Sequence, residues 1–154
     1  MKLMRIITAF AAFVVLTLSC TKEQTPTVEY LDVNPNNLAG DWKQVEWRGA
    51  PLHEATYFYM TLVRKDKQFT FYQNVDSIED MAHVITGRYN IETDPELGAI
   101  IIGEYDYSSG FWAHSYIVKE LTHDSMLWVS VADPAETKKF VRVSSIPDNI
   151  KVAE

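Results

Sequence analysis

Two alternating runs joined by the polar turn Lys65-Asp66-Lys67 constrain this chain more than any other stretch. Tyr57–Arg64 places Phe58, Met60 and Leu62 on one face and Tyr57, Tyr59, Thr61 and Val63 on the other. Gln68–Gln73 then sets Phe69 and Phe71 against Thr70 and Tyr72. Side chains alternate with a period of two along an extended chain, so each run predicts a half-buried strand and the pair predicts a hairpin. A lone hairpin is marginal in water and needs neighbours to cover its apolar face.

The rest of the chain supplies those neighbours. Trp42–Arg48 reads as a strand ended by Gly49 and Pro51, and Met81–Ile91 alternates again before the turn Thr93-Asp94-Pro95-Glu96. Gly98–Tyr105 and Phe111–Leu121 follow, the latter placing Trp112, His114, Tyr116 and Val118 together. Met126–Val131, with Leu127, Val129 and Val131 on one side, and Thr137–Val143 complete the series. About eight short strands separated by turns predict an all-β sandwich or barrel. Short connections favour an up-and-down antiparallel meander, which closes into a barrel and removes exposed sheet edges. Gly87 and Gly103, inside strands, read as bend points.

The N-terminus has a different character. Lys2 and Arg5 precede an uncharged apolar run from Ile6 to Leu18, and Ser19 stands before Cys20, the only cysteine in the chain. The run is too short to span a bilayer comfortably, which takes about 20 residues. A basic head, an apolar run and a small residue before the cut describe a secretory signal over residues 1–19. Leu16-Thr17-Leu18-Ser19-Cys20 resembles the lipobox of bacterial lipoproteins, with Thr17 where leucine is usual. That resemblance implies lipidation of Cys20 and a membrane anchor. Thr21 rather than Asp after the cysteine implies sorting to the outer membrane.

Removal of the 19-residue signal from 154 residues leaves 135, the size of one domain. That portion holds twelve basic and twenty-one acidic residues, a formal charge of −9. Such an acidic chain lacks the basic footprint of a nucleic-acid binder and is repelled by anionic head groups, which leaves membrane attachment to the lipid. With Cys20 consumed, no internal disulfide forms, so the fold rests on its core. Residues 20–37, rich in Thr, Pro and Asn, read as a tether whose far end packs through Tyr30, Leu31 and Val33. The barrel then covers 38–144, and 145–154 form a polar tail.

Gly40-Asp41-Trp42 at the start of the first strand resembles the G-x-W signature of lipocalins, and Phe140-Val141-Arg142 resembles the aromatic and arginine of their last strand. The resemblance covers roughly residues 38–144 and implies that Trp42 plugs one end of a barrel, with Gly40 beside it and Arg142 stacked near it. It points to lipocalin-like lipoproteins of the Gram-negative envelope.

Catalytic and metal chemistry find little support. His53, His83, His114 and His123 stand far apart without metal-ligand spacing, and no nucleophile elbow or phosphate-binding glycine loop is present. The acidic loop Asp76–Asp80 lacks the calcium-loop pattern. No cofactor, metal or enzymatic activity is expected. The sequence has instead an aromatic surplus of four Trp, eight Tyr and seven Phe. Aromatics in strands serve as core or as the wall of a small-molecule site. The inward set expected to hold an apolar or amphipathic ligand is Phe58, Met60, Phe71, Tyr89, Trp112, His114 and Tyr116. The alternative is a solid barrel acting as an accessory subunit of an envelope complex through outer-wall aromatics around Trp47, Tyr57, Tyr59 and Trp128.

Overall fold

The computed structural model describes residues 27–75, 83–107 and 110–151. The signal segment, Cys20 and the acidic loop over 76–80 lie outside the described residues. Among the described residues, no helix is long and apolar enough to cross a membrane.

The alternating runs become strands β1 (Gly40–Trp47), β2 (Ala50–Pro51), β3 (Phe58–Leu62), β4 (Gln68–Gln73), β5 (His83–Asp94), β6 (Gly98–Tyr105), β7 (Tyr116–Lys119), β8 (Ser125–Ser130) and β9 (Thr137–Val143). Each of β3 to β8 pairs antiparallel with the next, and β1 pairs with both β3 and β9. The sheet is therefore a closed, eight-stranded up-and-down barrel, with the two-residue β2 folded back on β1 outside the ring. The predicted hairpin is present as β3 and β4, with Met60 opposite Phe71 and Leu62 opposite Phe69.

One end of the barrel is solid. Leu38, Trp42, Met60, Leu62, Phe69, Ile101, Leu121, Met126 and Phe140 are almost wholly inaccessible to solvent. Leu31 and Val33 pack on this core, and Leu31 N–H donates to the Leu121 carbonyl at 2.7 Å. Beyond them Asn34 caps the short helix α1 (Pro35–Leu38), its Oδ1 accepting from the N–H groups of Asn36 and Asn37 at 3.0 Å. The part of the tether nearest the barrel is thus a plug under the closed end. In the tail, Ile146 is buried and α2 (Asp148–Lys151) forms a single turn.

Arg142 locks this plug. Its Nη1 and Nη2 donate to the carbonyls of Ala39 at 2.6 Å and Asn37 at 2.8 Å, and its Nε donates to the His123 carbonyl at 2.6 Å. The guanidinium sits 4.1 Å from the centroid of the Trp42 ring, while Trp42 Nε1 donates to the Leu38 carbonyl at 2.9 Å. Gly40 has φ +133°, and a Cβ there would overlap Arg142 Nη1. Burial pulls the Arg142 pKa below the ordinary arginine value, against the opposing pull of the Asp124 carboxylate.

Two strand glycines prove to be seats for rings. A Cβ on Gly103 would overlap the indole of Trp112, and one on Gly87 would overlap the ring of Phe69 and the Glu104 carbonyl. The expected strand Phe111–Leu121 is also shorter than its alternation suggests. Only Tyr116–Lys119 pairs as β7, while Phe111 bridges Glu104 and Trp112 N–H donates to the Gly103 carbonyl at 2.8 Å.

Candidate functional site

The opposite end of the barrel is open. Leu52, His53 and Thr56 before β3, Val75 after β4, Ala113 and His114 before β7 and Glu136 before β9 gather there around a cavity of about 610 Å³, within the ~300–1,000 Å³ of small-molecule sites. Its wall is aromatic because β4, β7 and β8 and the loop before β7 each turn a ring inward. Phe71, Trp112, Trp128 and Tyr116 follow one another with centroid spacings of 5.2, 5.7 and 5.3 Å. Phe58 joins them through Phe71, 5.0 Å away. Such offset and tilted pairs suit the ring quadrupole and hold the wall rigid.

Below the cavity Trp128 meets Phe140 at 4.9 Å, and Phe58 meets Phe140 edge-on at 6.0 Å. Phe140, completely buried, therefore lies beneath the lining rings of Phe58 and Trp128, between the cavity and the solid end. The Nε1 atoms of Trp112 and Trp128 are buried and find no acceptor among the described residues. On Trp112 that edge rests against Gly103.

The Glu136–Lys138 ion pair lies on one side, and His53 and Thr56, between β2 and β3, also line the cavity. Glu136, which precedes β9, accepts through Oε1 from the Tyr116 hydroxyl at 3.3 Å and lies 3.9 Å from His114 Nε2 and from Lys138 Nζ. Lys138 Nζ also sits 4.8 Å above the Tyr116 ring. Gln44, 4 % exposed, donates through Nε2 to the Glu46 carbonyl at 3.1 Å.

The rim depends on an irregularity in β1. Gln44 pairs with Phe140 and Glu46 with Lys139, which makes Val45 an extra residue. This bulge inverts the alternation beyond it. Glu46 turns outward to meet Lys139 at 3.3 Å, and Trp47 comes opposite Lys138 at the cavity mouth. Arg48, at φ +51°, packs its guanidinium 5.5 Å from the Trp47 ring centroid and donates to Asp133 at 2.7 Å. That hydrogen bond is the main reason the Asp133 pKa lies below the ordinary aspartate value.

Of the inward set expected from the sequence, Phe58, Phe71, Trp112, His114 and Tyr116 line the cavity. Met60 and Tyr89 do not. Both belong to the solid core, Met60 fully buried and Tyr89 donating to the Val63 carbonyl at 3.3 Å. Burial raises the Tyr89 pKa. Trp128, expected on the outer wall, is instead 2 % exposed and faces inward, since β8 turns Met126, Trp128 and Ser130 to the interior. Trp47, expected on the same wall, lies at the cavity mouth, while Tyr59 is nearly covered, with Lys43 Nζ 5.7 Å from its ring centroid. Sequence reading missed Gln44, Glu136 and Lys138. The Lys138–Phe140–Arg142 alternation on β9 was the available signal for Lys138.

No protein-family model matches the chain, and no curated protein matches it.

Proposed function

We propose that this chain is a lipid-anchored envelope protein of the outer membrane whose lipocalin-like barrel carries a small apolar or amphipathic ligand. The observation that supports the carrier reading is the 610 Å³ cavity walled by Phe71, Trp112, Tyr116 and Trp128. A solid barrel would need none of this space, because its stability comes from the filled end. The anchor reading rests on the run from Lys2 to Cys20. Trp112 and Trp128 lie in the cavity wall, so intrinsic fluorescence reports occupancy. Titration with fatty acids, sterols, bile-acid-like amphiphiles and haem should give a saturable change with at least one of them. A flat response to the whole panel would remove the carrier reading. Lipidation is tested separately by metabolic labelling with an alkyne fatty acid, which Cys20→Ala should abolish.

A second reading, docking to an envelope protein, is favoured by Tyr107 and Phe111. They are 69 % and 67 % exposed, Tyr107 just after β6 and Phe111 directly before Trp112. Cross-linking from position 111 in intact envelopes should then capture a discrete partner.

A further inference from the structure

The cavity has unlike sides and little depth. Phe58, Phe71, Trp112 and Tyr105 form its apolar side, from β3, β4, β6 and the loop beyond. Glu136, Lys138, Gln44 and His114 form the polar side, from β9 and the residue before it, β1 and the segment before β7. The Gln44–Phe140 pair lies near floor level and the Trp47–Lys138 pair at the rim. Those two or three residues correspond to about 7–10 Å of strand. Under that floor the barrel is filled by Met60, Trp42 and their neighbours.

Building on the carrier reading, we propose that the ligand is a compact, rigid-ringed and uncharged molecule with one apolar face and hydroxyl groups along the opposite edge. Shape carries the first half of this. A long acyl chain has nowhere to extend once it meets Phe58 and Trp128 above the buried Phe140, whereas a fused ring system fills a wide, shallow bowl and lies against a continuous bed of rings. Charge carries the second half. Glu136 and Lys138 stand 3.9 Å apart and cancel, so the polar side offers an acceptor beside a donor with no net charge. A hydroxyl serves both, giving its proton to the carboxylate and accepting from the ammonium. An ionised ligand group would meet one partner and be repelled by the other. Hydroxylated steroid skeletons and saccharide rings share this chemistry.

Methyl cholate, methyl cholanate (the same skeleton without hydroxyls), methyl palmitate and cellobiose separate the possibilities when titrated against the purified protein by tryptophan fluorescence and calorimetry. Methyl cholate should bind about tenfold tighter than methyl cholanate, the worth of one or two net hydrogen bonds. Glu136→Gln and Lys138→Met should each shrink that ratio while leaving methyl cholanate binding unchanged, which also shows that the variants keep their cavity. Saturable binding of cellobiose in preference to the steroids would keep the hydroxyl-edge class and assign it to a saccharide. Equal affinity for the two steroids, or tighter binding of methyl palmitate, overturns the class and leaves the carrier reading standing. No response to any probe overturns both.

Discussion

The indole of Trp112 occupies the space that a side chain at Gly103 would need, so the wall of the cavity is built on the absence of a Cβ in β6. Gly103→Val pits a branched side chain against Cε2, Cζ2 and Nε1 of the indole. The ring must move off its seat, and its contacts with Phe71 and Trp128 at 5.2 and 5.7 Å go with it. Overpacking of this kind destabilises by about 1–3 kcal/mol. Urea denaturation should show that loss together with a changed Trp emission spectrum. An unchanged midpoint would mean that the ring is not seated there in solution.

Arg142 joins three backbone carbonyls from two segments, Asn37 and Ala39 at α1 and His123 before β8, to the face of Trp42. Hydrogen bonds from a charged donor contribute about 1.5–3 kcal/mol each, and they are not independent when one side chain makes all of them. Arg142→Met should cost about 2–4 kcal/mol in urea. Arg142→Lys should recover only part of this, since an ammonium cannot fork towards Ala39 and Asn37 while lying along the indole. Full recovery by lysine would reduce the site to a point charge.

The fold and the site were legible in the sequence to different degrees, and particular residues show why. Alternation located β4, and apolar and β-branched runs between turn residues located β6 and β9, at the bounds expected, Gln68–Gln73, Gly98–Tyr105 and Thr137–Val143. It also assigned Phe58 and Met60 correctly to one face of β3. A period of two reports the face of a strand and not the height along the barrel, so it could not tell that Phe58 borders the cavity while Met60 lies beneath the floor. Trp47 was misplaced for another reason. The bulge at Val45 changes phase by one residue, and nothing in GDWKQVEW marks it. Glu136 and Lys138 read as ordinary surface charge until β9 closes against β1.

The rim should respond to acid through Asp133. Its folded pKa is depressed, chiefly by the hydrogen bond from Arg48. The contact is therefore fully present above the ordinary aspartate value of about 3.9, and it is lost as pH falls through the lower, folded value. Asp133 is solvent-exposed, so the effect falls on the placement of Arg48 and Trp47 rather than on global stability. A Trp47-dependent fluorescence step should appear with a midpoint below about pH 3.9 and disappear in Asp133→Asn. A step of equal size in that variant would assign the titration to another carboxylate.

Blocking the cavity without disturbing the core separates binding from folding. Ala113 lies between Trp112 and His114, lines the cavity and is exposed, so a larger side chain there meets space before it meets packing. Ala113→Trp should place an indole across the mouth while stability stays within about 0.5 kcal/mol, as for most exposed substitutions. Any ligand that enters from the mouth should lose at least about tenfold in affinity, a change of ~1.4 kcal/mol. The loss should appear in association, because the indole occupies the mouth of the free cavity and must be displaced before ligand enters, while the contacts at the floor stay intact. If affinity and association rate both match those of the unsubstituted protein, ligand reaches the barrel by another route or binds on its outer wall.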